Sequence, residues 1–155
     1  MSEKKPDNNI VLENVHLNLN TSAGQINILR GISLKIKSGE SVAVIGPSGG
    51  GKTTLIMAIA GLEKISSGSL KVAGVETSDL GADDLAVSRR ENFGIVFQDF
   101  HLIPTMTALE NVAIPLELAG ESSNTAFSVS RTQLQSVGLG HRFDHYPSQL
   151  SGGEQ

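Results

Sequence analysis

Apolar and polar residues alternate from Ile10 to about Lys37, as in "VHLNLN" and "ISLKIKSGE". A period of two is typical of strands that bury one face. Asn, Ser and Thr are frequent between the apolar positions, and these residues favour turns. The pattern therefore predicts an antiparallel β layer built from short strands that are joined by turns.

Two later runs are continuously apolar, and each predicts a strand that is buried on both faces. "SVAVIG" lies between Gly39 and Gly46, and "NFGIVFQ" ends at Gln98. Unbroken apolar runs of this length are typical of parallel strands covered by helices. Between the two runs, "SGSLKVAGV" predicts a strand and a turn. A polar connector rich in Asp and Ser comes next, in which Arg89 and Arg90 are interpreted as a solvated pair.

The last third of the chain carries helical signals and no strand signal. Thr107 and Glu110 have the spacing of a capping box, in which each side chain bonds the other's backbone N–H. Pro115 should kink or shorten the helix that begins there. A second helix is expected within residues 125–137, and Gly138 should end it.

Composition narrows the class of protein. A chain of 155 residues suits one domain, and 39% hydrophobic with 18% charged residues is ordinary for a globular protein. The net charge of -4 argues against a nucleic-acid partner, which normally faces a basic surface. The absence of cysteine excludes disulfides and thiolate metal sites. Residues 1–9 are polar and predict a flexible tail, and no apolar run approaches the roughly 20 residues that span a bilayer.

The segment "GPSGGGKTT" matches the phosphate-binding loop pattern G-x-x-x-x-G-K-[ST]. The predicted buried strand precedes it, and a helical pattern that should end at Gly61 comes after it. Glycines let the backbone wrap a polyphosphate closely, Lys52 would reach its β and γ phosphates, and the Thr53 hydroxyl would bind Mg²⁺. The predicted nucleotide-binding residues are Gly46, Pro47, Ser48, Gly49, Gly50, Gly51, Lys52, Thr53 and Thr54.

Two further stretches lie after this loop, and the three together resemble the ATP-binding subunits of ABC transporters. Gln98 matches the Q-loop glutamine of that family, and "LSGGEQ" at 150–155 matches its signature. "VFQDFHLIPTMTALENVAIPL" and "DHYPSQLSGGEQ" are most similar to the subgroup that drives lipoprotein release and macrolide export. The resemblance begins near Ile10. It implies an α/β P-loop NTPase fold of the ABC ATPase type, with a β layer and P-loop core over 10–103 and a helical lobe over 104–155.

The resemblance also implies roles and partners. Gln98 would contact Mg²⁺ and the attacking water, and Lys52 would act on the phosphates. The signature would bind the γ-phosphate held by a second copy of the subunit in a homodimer. Its residues are Ser151, Gly152, Gly153, Glu154 and Gln155. The implied cofactors are ATP and Mg²⁺. The implied partner is an integral membrane permease, which would hold the protein at the cytoplasmic, inner face of the cell membrane.

The chain departs from the family pattern in two ways. The family stacks adenine on an aromatic residue ahead of the P-loop, whereas the first aromatic residue here is Phe93, so Leu19 or His16 would take that position. The family's Walker B strand, catalytic Glu, D-loop and switch His would come after Gln155. The sequence as given is therefore expected to be a partial domain that does not hydrolyse ATP.

Two other interpretations stay open from the sequence. The first is a non-hydrolytic fragment that binds nucleotide. The second is an ABC protein of DNA repair or translation, which the short helical lobe disfavours. His141 and His145 stand four residues apart, and surface positions fit them better than a metal site because no third ligand lies nearby.

Overall fold

The computed structural model describes residues 8–21 and 24–155, which form two units that meet in sequence between Gly94 and Ile95. The predicted division between residues 103 and 104 stays a prediction. Residues 1–7 of the predicted tail lie outside the described residues, and Asn8 and Asn9 belong to the first strand.

The first unit contains an antiparallel sheet of four strands. These are β1 (Asn8–Thr21), β2 (Gly24–Lys37), β3 (Ser67–Val72) and β4 (Val75–Glu76), in the spatial order β2-β1-β3-β4. This confirms the antiparallel layer, but β1 and β2 are two long strands and not several short ones. A register shift between Leu12 and Val15 interrupts their pairing, and Asn14 has a φ of 49° there. Such bulges allow long strands to bend.

The core of this unit lies between the sheet and one helix, α1 (Lys52–Ile59). Burial of each large apolar side chain contributes about 1.5–3 kcal/mol, so this cluster holds the helix on the sheet. The buried residues are Leu12, Val15, Leu17, Leu29, Leu70 and Val72 of the sheet with Leu55 and Ala58 of α1. As predicted, α1 ends just before Gly61, whose φ of 67° suits a helix C-terminus.

The polar connector after β4 contains a helix that sequence reasoning missed, α2 (Ala82–Asn92). Asp83 lies in its first turn and Arg89 in its last, a charge order that complements the helix dipole and could have revealed the helix. Arg89 is not simply solvated, because its Nη1 donates to the Gly61 carbonyl oxygen at 2.6 Å. This bond ties α2 to the C-terminal end of α1.

Neither predicted buried strand forms. Residues 41–46 and 93–98 have no regular secondary structure, and Ile45 and Val96 are 88% and 99% exposed. A strand is stable only when neighbouring strands pair with its N–H and C=O groups. Within the described residues the sheet ends at β2 and β4 and pairs with neither segment. Apolar composition alone therefore did not decide these two segments.

The second unit contains two helices, α3 (Ala108–Leu118) and α4 (Ser123–Ser136), which pack against each other. The predicted capping box is present: Thr107 Oγ1 accepts from the Glu110 amide, and Glu110 Oε2 accepts from the Thr107 amide at 2.7 Å. Pro115 lies inside α3, which ends three residues later. Gly138 lies just beyond α4 with a φ of 81°, as predicted. No helix among the described residues is both long and apolar enough to cross a membrane.

Candidate functional site

The P-loop, residues 46–54, consists of a turn that ends at Gly51 and the first three residues of α1. The Gly50 amide donates to the Pro47 carbonyl at 3.2 Å, and Gly51 is the helix N-cap with a φ of 80°. A Cβ on Gly51 would meet Ile28 Cγ2 and the Ile28 carbonyl oxygen, each at 3.2 Å. Backbone conformation and the close approach of β2 both require glycine at this position.

The beginning of α1 has the electrostatics of an anion site. No side chain caps it, and no acidic residue lies in its first turn. Helix amides without acceptors, together with the helix dipole, attract phosphate groups. Thr53 is exposed at this end of the helix, so its hydroxyl can serve as an oxygen ligand for Mg²⁺. The residues present therefore fit a nucleotide phosphate chain with its metal ion.

The Lys52 ammonium group folds back onto the P-loop. Its Nζ donates to the Gly46 carbonyl at 3.0 Å and to the Pro47 carbonyl at 2.7 Å. These two bonds place a positive charge within the turn that the glycines form. A phosphate entering the turn can replace the carbonyl acceptors, because an ionised oxygen is the stronger acceptor for an ammonium.

An exposed apolar pair lies near the P-loop on the hairpin of β1 and β2. Leu19 and Ile26 are directly paired, and their exposed fractions are 40% and 49%. Two residues earlier on β1, Leu17 pairs with Leu29, and both side chains are buried. A Cβ on Gly51 would meet Leu29 Cδ2 at 3.5 Å. Of the two positions considered for adenine, His16 instead bonds Asn14 Oδ1 through Nε2, so Leu19 is the more available.

Gln98 belongs to the second unit and lies in an exposed bend. On either side of the bend, the rings of Phe97 and His101 pack edge to face with centroids 4.7 Å apart. Contrary to the sequence interpretation, no strand carries Gln98. Its role toward Mg²⁺ and water stays a prediction.

Asn111, on α3, is a positioning residue that sequence reasoning missed. Its side-chain amide donates to the carbonyls of Ile103, Met106 and Thr107, and its Oδ1 accepts from the Ile103 amide at 2.7 Å. Four bonds from one amide fix the loop between Gln98 and α3. The sequence does not reveal these bonds, because an asparagine near a helix N-terminus can bond several different backbone groups.

The residues just before the signature turn, residues 150–155, are held by hydrogen bonds and burial. A single turn of 3₁₀ helix covers Pro147–Gln149, Leu150 is buried, and the Gln155 side chain donates to the carbonyls of Pro147 and Leu150. The Glu154 and Gln155 amides both bond the Ser151 carbonyl, at 2.9 and 3.0 Å. The N–H groups of Gly152 and Gly153 have no acceptor among the described residues. The turn therefore presents two free amides.

The Glu154 side chain bonds back to the beginning of this turn. Its carboxylate accepts from the Ser151 amide at 2.8 Å and from Arg142 Nε at 2.9 Å. Hydrogen bonds from the Ser151 backbone and hydroxyl, and then from the Arg142 guanidinium, lower the pKa of Glu154 to about 2. The bond from the Ser151 amide to Glu154 is one half of a capping box, which the spacing S-x-x-E could have indicated; the Glu154 amide bonds the Ser151 carbonyl and not its hydroxyl.

Of the two histidines, His141 is exposed and His145 is partly buried. His145 Nε2 lies 3.1 Å from Arg142 Nη1, and its carbonyl accepts from the Ala108 amide at 2.8 Å. Within the described residues, no group of three or more His, Cys, Asp or Glu side chains is placed to hold a metal ion.

Known proteins share this sequence and fold. The family described as "ABC transporter" matches residues 29–155. The lipoprotein-releasing system ATP-binding protein LolD of Novosphingobium aromaticivorans is 46% identical over 130 residues, which cover 84% of this chain and 58% of that protein. The macrolide export ATP-binding/permease protein MacB 1 of Aeromonas hydrophila is 47% identical over 131 residues, covering 84% of this chain and 20% of that protein.

The fold is similar to that of solved ATP-binding cassettes. A dimeric post-hydrolysis state of the cassette MJ0796, bound to ADP and Pi, superposes with a TM-score of 0.85 at 37% identity. The match covers 94% of this chain and 64% of the cassette. The chain thus spans less than two thirds of the length of LolD and of this cassette.

Proposed function

Because the chain belongs to the ABC transporter family, we propose that it is the ATP-binding motor of an export system, coupling ATP binding and hydrolysis to transport by a membrane permease. The observation that carries the proposal is the P-loop geometry, in which Gly51 opens α1 without a side-chain cap and the Lys52 ammonium lies inside the turn. Similarity to LolD and MacB supports the assignment to export.

In this proposal each residue has a defined task. Lys52 moves from the Gly46 and Pro47 carbonyls to the β and γ phosphates, while the amides at the start of α1 bind the phosphate oxygens. The Thr53 hydroxyl and the Gln98 side chain would hold Mg²⁺, which would offset charge on the phosphates. Gln98 also orients the water that attacks the γ-phosphorus, from which ADP departs.

The second half of the site comes from another copy of the subunit. The free amides of Gly152 and Gly153, with the Ser151 hydroxyl, bind the γ-phosphate held by the partner's P-loop. The dimeric state of the MJ0796 cassette supports a homodimer. A permease then holds the dimer at the inner face of the membrane.

Nucleotide binding tests the proposal on the 155-residue chain. Charge-assisted hydrogen bonds contribute roughly 1.5–3 kcal/mol each, so Lys52→Ala should weaken Mg-ATP binding at least about tenfold in calorimetric titration. Lys71→Ala is the matched control, since Lys71 is exposed on β3. Equal affinities of Lys52→Ala and the unaltered chain would disprove the P-loop assignment.

Turnover separates the proposal from its alternative. Mg-ATP hydrolysis that disappears in Lys52→Ala supports a motor subunit, whereas tight binding without turnover in the full-length protein supports a non-hydrolytic nucleotide-binding role. Reconstitution with a membrane permease then tests the transport step.

A further inference from the structure

The signature turn contains a charge that opposes its proposed task. Glu154 lies one residue after Gly153, and a glutamate carboxylate is ionised at neutral pH. An anion approaching the amides of Gly152 and Gly153 therefore meets a negative charge within the same turn. A negative charge within the turn disfavours the binding of a phosphate unless another group offsets that charge.

Arg142 is the group that offsets this charge. Its Nε donates to Glu154 Oε1 at 2.9 Å, and the two side chains are 31% and 23% exposed. Partial burial makes the pair less screened by salt than a fully exposed pair. No other ion pair forms among the described residues.

The segment that carries Arg142 is held by the first helix of this unit. Arg142 Nη1 contacts His145 Nε2 at 3.1 Å, and the Arg142 amide bonds the Leu139 carbonyl at 2.9 Å. The carbonyls on either side of Asp144 accept from the start of α3, Phe143 from Leu109 at 3.1 Å and His145 from Ala108 at 2.8 Å. The arginine is thus attached to a segment that α3 holds in place.

We propose that Arg142 is a positioning residue for the signature turn: it neutralises Glu154 and holds its carboxylate on the Ser151 amide, which leaves the amides of Gly152 and Gly153 free for phosphate. The inference rests on the proposed function, because it concerns how the signature acts on a γ-phosphate. It makes the arginine necessary only while residue 154 carries a negative charge.

A double-mutant cycle tests this dependence in the full-length protein. Arg142→Gln should raise KM for Mg-ATP about tenfold, which lies within the range of coupling between contacting residues. In the Glu154→Gln background the same change should alter KM less than about twofold, because an amide oxygen still accepts from Ser151 and no charge is left to offset. Arg142→Lys, which keeps the charge, should retain most of the activity.

Arg131→Gln is the matched control. It removes an equal charge from the same unit, where Arg131 lies over the Phe143 ring at 5.8 Å and has no bond to Glu154. Its KM should equal that of the unaltered protein. Melting temperatures of all variants report the fold, and Arg142→Gln should melt no lower than Arg131→Gln. If Arg142→Gln does not fold, Arg142→Met, which also removes the charge, replaces it in the two backgrounds of the cycle.

Two results would overturn the inference. One is an unchanged KM in Arg142→Gln, and the other is an equal loss in both backgrounds, which would make Arg142 a general scaffold residue. Lys52→Ala run in parallel separates this failure from that of the proposed function. If Lys52→Ala abolishes turnover while the cycle shows no coupling, only the role of Arg142 is wrong.

Discussion

The P-loop and the signature turn are both glycine-rich segments, yet the structure builds them in opposite ways. The P-loop is preceded by residues 41–45, which are exposed and have no regular secondary structure. It is fixed at its C-terminal end, because Gly51 lies against β2 and precedes the first residue of α1. The signature turn has a firm lead-in, with Leu150 buried after a 3₁₀ turn. Backbone approach thus shapes the first turn, and side-chain bonds shape the second.

The charges of the two turns also differ. The P-loop contains one cation, Lys52, which bonds carbonyl oxygens of its own turn. The signature turn contains one anion, Glu154, which is bonded by Ser151 and Arg142. The charge of the P-loop is therefore met by carbonyl oxygens of its own turn, and the charge of the signature turn by an arginine from elsewhere in the chain.

The largest expected effect is a difference in folding stability between an alanine substitution in the P-loop and one in the signature turn. Gly51→Ala places a Cβ on a residue with a φ of 80°, at 3.2 Å from the Ile28 carbonyl oxygen. We therefore expect the free energy of unfolding to fall by about 1–3 kcal/mol, and Mg-ATP binding to weaken. Gly152→Ala has nothing within 4 Å of its Cβ and should change stability by less than about 0.5 kcal/mol. Urea titrations of both variants provide the comparison, and equal midpoints would contradict it.

The second prediction concerns the two apolar segments that form no strand, residues 41–46 and 93–98. Ile45 and Val96 are the most exposed apolar residues of the two segments that form no strand, so the 155-residue chain should bind a hydrophobic dye. Replacing both by serine should remove roughly half of the dye fluorescence. Leu118→Ser, at the end of α3 and 78% exposed, is the control and should remove much less. Absence of dye binding by the unaltered chain would show that these segments are covered.

A third, smaller effect depends on pH. The pKa of Glu154 is lowered to about 2 from an ordinary value of 4.5, so its bonds stabilise the folded signature turn above pH 4.5 and are lost as the pH falls toward 2. In NMR spectra the Ser151 amide should titrate with a midpoint near 2. Arg142→Gln should move that midpoint upward. The P-loop has no carboxylate, so its amides should show no such step, and an identical step there would contradict the difference in charge.

The smallest expected effect concerns the base. Leu19 pairs with Ile26 as an exposed aliphatic surface near Gly51, and an aliphatic surface stacks on adenine less well than a ring does. Leu19→Tyr should therefore tighten Mg-ATP binding several-fold, since aromatic stacking adds about 0.5–1.5 kcal/mol. Leu62→Tyr, an exposed leucine beyond the end of α1, is the control. Equal affinities of the two tyrosine variants would place the base elsewhere.

Local signals in the sequence were sufficient for several elements. The P-loop pattern, the helix that it opens, the capping box of Thr107 and Glu110 and the glycine after α4 all depend on residues within a few positions of one another. The alternation from Ile10 to Lys37 likewise predicted the antiparallel layer. The helices, the capping box and the antiparallel layer are confirmed because most of their stabilising bonds are made inside the segment or with its neighbour in sequence, whereas the nucleotide-binding role of the P-loop stays a prediction.

Only the tertiary structure decided the features that need distant partners. The apolar runs at 41–46 and 93–98 form no strand, because a strand is stable only beside others that pair with it. Arg89 bonds Gly61 across 28 positions of sequence, and Arg142 bonds Glu154 across 12. The sequence shows that such charges exist, but the partner of each depends on how the backbone brings separate segments together.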